Sequence, residues 1–172
     1  MKREGMISAP VMGIHTHMYN STQDPSQIRF GGFNEALIPS GHSQIWLKTL
    51  NDKTWEVEVH DVSFHGDKIF KRTKALINPG YPFIGMPEAP FETFIKDVMS
   101  AYPAEKINCK DLDWCYIKGK CNELFETMPD LVFTFATSDG GKQIVNVPPY
   151  SFLYNDKDRK TGEKICHLGV IG

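Results

Sequence analysis

Near the middle of the chain lies the run Ala75-Leu76-Ile77-Asn78-Pro79-Gly80-Tyr81-Pro82-Phe83-Ile84-Gly85-Met86-Pro87. The run predicts a short apolar strand, a tight turn at Asn78-Pro79-Gly80 and a second apolar segment. Asn-Pro and Pro-Gly favour turns because proline fixes φ and glycine tolerates a positive φ. The polar side chain of Asn78 stands between the two apolar segments, where a catalytic group could be held. From this stretch alone, the favoured interpretation is a buried turn between two core strands.

The composition is that of an ordinary globular chain. Its 172 residues suit one domain, and contents of 41% apolar and 23% charged residues are typical of folded proteins. The net charge of -2 gives no reason to expect nucleic acid or an acidic membrane as a partner. No run of about 18 apolar residues occurs, so no segment is predicted to span a membrane. The first residues also lack the apolar stretch of a signal peptide.

Alternating apolar and polar residues predict antiparallel β-structure through the first half of the chain. We expect strands at residues 11–19, 27–33 and 45–47, and a meander over residues 55–70 that turns at residues 65–67. Trp46 and Trp55 are expected in the core. His15 and His17 fall on one strand face, where two imidazoles could share a metal. Ordinary strand histidines are the favoured interpretation, because no third ligand lies nearby in the sequence.

The second half of the chain begins with the clearest helix. Apolar residues at helical spacing predict one buried face near residues 88–101; they are Phe91, Phe94, Ile95, Val98 and Met99. Pro103 is expected to end this helix. Residues 107–120 are interpreted as a disulfide-closed loop and residues 155–163 as a polar loop. Strands are expected at residues 131–135, 144–147, 150–154 and 165–171, with a hairpin turn at residues 138–141.

The cysteines indicate an oxidising compartment. The chain has four of them, Cys109, Cys115, Cys121 and Cys166. Because no C-x-x-C pair is present, two disulfides are favoured over a zinc site. Asn20-Ser21-Thr22 is a possible glycosylation site on Asn20. Together these features favour a secreted protein or one of a lysosome- or vacuole-like compartment.

Several landmarks occur in order along the chain. They are Glu4-Gly5-Met6-Ile7-Ser8 with Pro10-Val11, Ile28-Arg29-Phe30-Gly31-Gly32, Ile45-Trp46, Trp55-Glu56-Val57, Ala75-Leu76-Ile77-Asn78, Gly85-x-Pro87, Met128-Pro129-Asp130-Leu131-Val132-Phe133, Val147-Pro148-Pro149-x-x-Phe152 and Cys166-x-Leu168-Gly169. In this order the chain resembles the pepsin-like aspartic peptidases, in their interlobe segment and C-terminal lobe. The resemblance implies a mostly β fold, with the antiparallel β-sheets of a single pepsin-like lobe and one main helix. Residues 1–26 would form the interlobe segment and first strand, and residues 27–172 an incomplete C-terminal lobe.

The resemblance also assigns a site. In the family each of two lobes provides an Asp-Thr-Gly turn, and the two aspartates share a proton and activate the water that attacks the peptide bond. The catalytic Asp of this lobe falls on Asn78, and Pro79, Gly80, Tyr81 and Pro82 follow along the substrate cleft. An amide cannot share a proton or act as a general base near neutral pH. The resemblance therefore predicts a lobe without catalytic activity.

Disulfides and partners follow from the same resemblance. It implies the disulfide Cys121–Cys166, which leaves Cys109 with Cys115. It also implies that the N-terminal lobe and the final strands are missing, which leaves a sheet edge open to another chain. The expected partners are a peptide or protein substrate, a separate N-terminal lobe or a sheet-edge partner, with no cofactor and no metal. Three functions stay open: a peptidase lobe whose partner lobe lies elsewhere, a non-catalytic peptide- or protein-binding module, and a truncated product without a maintained role.

Overall fold

The structure is a computed structural model that describes residues 3–16, 26–38, 40–102, 107–110 and 114–172, with the backbone alone at Lys110 and Trp114. The chain divides into two compact units, Met1–Ile45 and Trp46–Gly172. The predicted division between residues 26 and 27 lies inside the first of these units and stays a prediction.

The first unit is a small antiparallel hairpin followed by a turn of 3₁₀ helix. Strand β1 (Met12–His15) pairs with β2 (Gln27–Phe30), and His15 lies opposite Gln27. A Cβ on Gly13 would lie 2.8 Å from Phe33 Cβ, so only glycine allows the chain to approach here. The predicted strand at residues 11–19 is thus present as far as His15. His17 and Asn20 lie outside the described residues.

The second unit contains the remaining strands and the helix. In chain order they are β3 (Glu56–Phe64), β4 (Asp67–Leu76), β5 (Ile84–Gly85), α1 (Glu88–Ala101), β6 (Ile107–Lys110), β7 (Trp114–Lys118), β8 (Leu131–Ala136), β9 (Lys142–Val147), β10 (Leu153–Lys157), β11 (Lys164–Leu168) and β12 (Val170–Ile171). Two four-stranded antiparallel sheets, β4-β3-β8-β9 and β10-β11-β7-β6, make up most of it, and β5 and β12 form a short parallel pair. The mostly β, antiparallel fold predicted from the sequence is confirmed.

The first sheet is set by alternation and by one tight turn. Val57, Val59, Val62 and Phe64 point into the core from β3. His65 and Gly66, with φ of 53° and 86°, make the two-residue turn into β4, a geometry that matches the right-handed twist of a hairpin. Strand β4 then spans 10 residues, with a register irregularity in its pairing with β3 opposite Val62 and Ser63. The apolar segment before Asn78 is the end of this strand.

Helix α1 packs on the first sheet, as its apolar face predicts. Phe91, Phe94, Ile95 and Val98 are buried, and the Phe94 ring meets Phe64 edge-on with 4.9 Å between centroids. Met99, which was expected on the same face, is exposed. In a helix of 3.6 residues per turn Met99 lies at the margin of the stripe formed by the four buried residues, where a side chain is less completely covered.

Several other predictions from the sequence were wrong in detail. Residues 107–120 contain the hairpin β6–β7 instead of a loop, and the strand expected at 165–171 is divided by Gly169 into β11 and β12. Residues 149–151 form a turn of 3₁₀ helix, after which β10 reaches Lys157. The expected strand at 45–47 is reduced to one bridge between Leu47 and Thr137.

Trp46 and Trp55 are not core residues. Trp46 is 67% exposed and Trp55 is also exposed. The prediction failed because it used only the apolar character of these side chains, and a large apolar surface does not by itself bury a residue. The buried side chains in this part of the chain come from β3, where Val57 and Val59 contribute to the core.

Candidate functional site

The Asn78 turn begins where β4 ends. The Ile77 N–H donates to the Trp55 carbonyl oxygen at 2.9 Å, which extends the β3–β4 pairing by one step past Leu76. The Tyr81 N–H donates to the Asn78 carbonyl oxygen at 3.1 Å and closes a four-residue turn. Within it, the Asn78 side-chain Oδ1 accepts the Gly80 N–H at 3.1 Å. Such a side-chain bond imitates a backbone turn and holds the amide group in place.

Gly80 does not use the positive φ that a glycine permits. Its φ lies outside the left-handed region, so the turn has Pro79 at its second position and an ordinary backbone at its third, as in type I turns. A Cβ on Gly80 would meet only Asn78 Oδ1, at 3.4 Å. The need for glycine that the sequence suggested is therefore absent in this conformation.

The turn is on the surface. Asn78, Pro79, Gly80, Tyr81 and Pro82 are all exposed, so the interpretation of a buried turn between core strands was wrong. The apolar residues expected to wall it differ on the two sides. Leu76 is 58% exposed and Ile77 is exposed, whereas Phe83 and Ile84 are half-buried. The structure thus brings the five candidate residues together at one exposed corner.

A row of rings leads from the turn to the second sheet. Tyr81 meets Phe83 with 5.7 Å between centroids, Phe83 meets Tyr154 at 6.0 Å, and Tyr154 stacks on His167 at 5.9 Å. The Tyr154 hydroxyl is buried and has no hydrogen-bond partner within the described part of the chain. Burial raises the pKa of Tyr154 to about 12. Sequence reasoning missed this row, since nothing in the spacing of Tyr81 and Tyr154 shows that they are near each other.

The segment after the turn is fixed by the last residues of the sequence. The Ile84 N–H donates to the Gly169 carbonyl oxygen and the Met86 N–H to that of Ile171, both at 2.8 Å. Gly169 is needed at this junction, because a Cβ there would lie 2.9 Å from both the Phe152 carbonyl oxygen and Tyr154 Cε1. The parallel pair β5–β12 therefore holds the chain leaving the turn against the second sheet.

The chemistry available at this corner is that of an amide. The turn contains no carboxyl group: Asn78 supplies a neutral side chain whose oxygen is already bound to Gly80, and Pro79 has no N–H. Such a group can donate and accept hydrogen bonds, but it does not titrate. Of the described residues, no group of three or more His, Cys, Asp or Glu side chains is arranged to hold a metal ion.

Two disulfides tie the second sheet together. Cys121 is joined to Cys166, and Cys109 to Cys115, which are the pairs that the resemblance implies. Cys109 and Cys115 lie opposite each other in the β6–β7 hairpin. Cys121 and Cys166 are fully buried, and the Cys121 N–H donates to Asn155 Oδ1 at 3.0 Å. Within the described residues, no helix is both long and apolar enough to cross a membrane.

Comparison with known proteins agrees with this arrangement. A family model described as eukaryotic aspartyl protease matches residues 1–172. No curated protein matches the chain significantly. The match extends over the whole sequence, including β4, the Asn78 turn and both disulfides, and it confirms the resemblance drawn from the ordered landmarks. The chain belongs to the eukaryotic aspartyl protease family.

Proposed function

We propose that this chain is an aspartic-peptidase lobe that does not hydrolyse peptides by itself and instead binds an extended peptide or protein segment at the Asn78 turn. The observation that carries the proposal is the amide at position 78, which stands where the family's titrating carboxyl is expected. Proteolysis is the family's activity, and this chain retains the scaffold of that activity without its acid and base.

Three features of the turn support the loss of catalysis. The Asn78 amide cannot exchange the proton that two aspartates would share. Pro79 stands at the family's threonine position and has neither a hydroxyl nor an N–H with which to bridge to a second lobe. Tyr81 and Pro82 are bulky where the family has small residues, so they would meet the substrate backbone in a catalytic complex. Each change removes a different part of the reaction.

The surroundings of the turn support binding. Trp55, Leu76, Ile77 and Tyr81 are exposed apolar or aromatic side chains at the same end of the first sheet. Clusters of this kind on a protein surface favour contact with another chain. A separate N-terminal lobe is the second candidate partner, and the same exposed residues favour it. The two disulfides and the family are consistent with a secreted or lysosomal compartment for either partner.

Catalysis is tested with the purified chain at acidic pH. We expect the chain not to cleave an unfolded protein substrate in any reaction that a transition-state-mimicking peptide inhibitor blocks. We also expect no such cleavage from Asn78→Asp, because a single carboxyl lacks the partner with which the family's aspartates share a proton. If the wild-type chain shows inhibitor-sensitive cleavage and Asn78→Ala abolishes it, Asn78 takes part in catalysis and the proposal of an inactive lobe is wrong.

Binding is tested with an immobilised library of extended peptides. We expect the wild-type chain to bind to these peptides. We expect Tyr81→Ala to bind at least severalfold more weakly, because Tyr81 is an exposed ring at the turn. Tyr150→Ala is the matched control, since Tyr150 is similarly exposed and lies in a different turn. If both variants lose binding equally, or if only an added N-terminal lobe is bound, the peptide-binding proposal is wrong.

A further inference from the structure

The sheet β4-β3-β8-β9 has two edges, and in the described part of the chain only the β4 edge carries several features that discourage pairing. Edge β4 carries four exposed basic residues, Lys68, Lys71, Arg72 and Lys74, and Arg72 has a φ of 42°. Charges and local departures from extended geometry keep an edge from pairing with another chain. Edge β9 reads Lys-Gln-Ile-Val-Asn-Val. It has one charge at its first residue, no proline and no positive φ.

The hairpin turn shows which groups of β9 face outward. The Thr137 N–H donates to the Gly141 carbonyl oxygen at 3.1 Å. Hydrogen-bonded pairs recur at every second residue of an antiparallel ladder, so Gln143, Val145 and Val147 point their backbone groups toward β8. Those of Lys142, Ile144 and Asn146 point away from it. The Gln143 side chain donates to the Ile144 carbonyl oxygen at 3.0 Å, which agrees with that carbonyl facing the open edge.

We propose that β9 pairs antiparallel with β9 of a second copy of this chain, about a two-fold axis at Ile144. This register sets Ile144 opposite Ile144 and Lys142 opposite Asn146, so every outward group of the three residues finds a partner. Centring the pair on Val145 would set Lys142 opposite Pro148, which has no N–H to donate. The first register is therefore the one that the backbone favours.

Side chains and charges agree with this register. Ile144 is 61% exposed on one face of the sheet, and its mate from the second copy would cover it. Val145 is exposed on the other face and would pack beside Gln143 of the second copy. The only charged residue of β9, Lys142, would lie opposite the neutral side chain of Asn146 in the second copy, so no like charges face each other. The occupant that the edge fits by symmetry and charge is thus the same edge.

The expected association is weak. A strand of 6 residues is about 20 Å long, and an edge contact of that length buries less than the ~1,600 Å² of a standard interface. We therefore expect dimers at concentrations of about 10–100 µM and monomers well below that. The contact lies on β9 and does not use Asn78 or Tyr81, so its test is independent of the proposed peptide binding.

Sedimentation velocity of the intact oxidised chain across that concentration range is the first experiment. The mean mass should rise from the 19.5 kDa monomer toward the dimer. Ile144→Lys should weaken the dimer about tenfold or more, because it sets two lysines opposite each other. Leu76→Lys is the control, since it adds the same charge at a similarly exposed residue at the end of β4, on the other edge of the sheet. Dissociation by Leu76→Lys instead would place the contact at the turn and overturn the proposal.

Residue-resolved hydrogen exchange of the wild-type chain is the second experiment and needs no variant. On concentration, the amides of Lys142, Ile144 and Asn146 should become protected, whereas those of Gln143 and Val145 are already protected by β8. An unchanged exchange pattern, or a monomer at every concentration, contradicts the pairing. Protection of these three amides only after a peptide is added would show that the edge takes a foreign strand and not a second copy.

Discussion

Removing the disulfide Cys121–Cys166 should cost more stability than removing Cys109–Cys115. The first closes a loop with a sequence separation of 45 and the second one of 6. In the chain-entropy model the loss is 2.1 + 1.5R ln n cal/mol/K, which gives about 4.0 kcal/mol for the long loop and about 2.2 kcal/mol for the short one at 25 °C. The expected difference between them is about 2 kcal/mol.

The burial of the two sulfurs adds to the larger value. Cys121 and Cys166 are both fully buried, whereas in the other pair Cys115 is fully buried and Cys109 is half-buried. Replacing the first pair by alanine leaves unfilled space in the core beside β11, which costs further packing energy. The bond also fixes Cys121 where its N–H meets Asn155, so that hydrogen bond should weaken too. A loss of 4 kcal/mol is a large share of the 5–15 kcal/mol typical of a domain.

Urea denaturation of the wild-type chain and of both double variants measures the two losses. Cys121→Ala with Cys166→Ala should lower the unfolding free energy by about 4 kcal/mol or more, and Cys109→Ala with Cys115→Ala by about 2 kcal/mol. The denaturant slope should rise in the first variant, because an uncrosslinked unfolded chain exposes more surface. Equal losses, or a larger loss from the hairpin pair, would refute the loop-length reasoning.

Three further predictions concern single side chains. Tyr154→Phe should raise the unfolding free energy by about 0.5–1 kcal/mol in urea titrations, because it removes a buried hydroxyl without a partner. It should also remove the loss of stability expected as pH rises from 10 to 12, since the folded pKa is about 12 and the unfolded pKa is near 10. The Lys68 ammonium lowers the pKa of Asp61, so Asp61→Asn should be destabilising at neutral pH in thermal melts, with the difference shrinking as the pH falls below about 4. Gly80→Ala should be neutral or stabilising by up to about 1 kcal/mol, measured the same way, and a clear loss would show that the turn needs a positive φ.

Local patterns of the sequence were sufficient for the elements that bury one face. The spacing of Phe91, Phe94, Ile95 and Val98 predicts α1, and the alternation around Val57 predicts β3, because each pattern is a property of one short segment. The hairpin turn at residues 138–141 was likewise predicted from its glycines. Both disulfides of the structure join the pairs implied by the family resemblance. The resemblance relates distant parts of the chain to each other, and no local sequence pattern indicates these pairs.

The remaining features depend on contacts between distant segments. Residues 165–171 read as one strand, yet Gly169 separates β11 from β12. A glycine is required at this point because a Cβ would lie 2.9 Å from the carbonyl oxygen of the distant Phe152. Trp46 and Trp55 read as core residues, but exposure depends on what covers them, and within the described residues nothing buries either side chain. Periodicity describes a segment and does not show which surfaces meet.

The position of the Asn78 turn is the clearest case. The turn itself follows from Pro79 and Gly80, but its place in the protein is set from both sides by residues far along the chain. Trp55 holds the strand that enters it, and Gly169 and Ile171 hold the segment that leaves it. Since these bonds act on the backbone, they keep the corner in place whether residue 78 is an aspartate or an amide. The position of this corner therefore does not depend on a carboxyl at residue 78, so the proposed loss of catalysis is compatible with an intact, exposed turn.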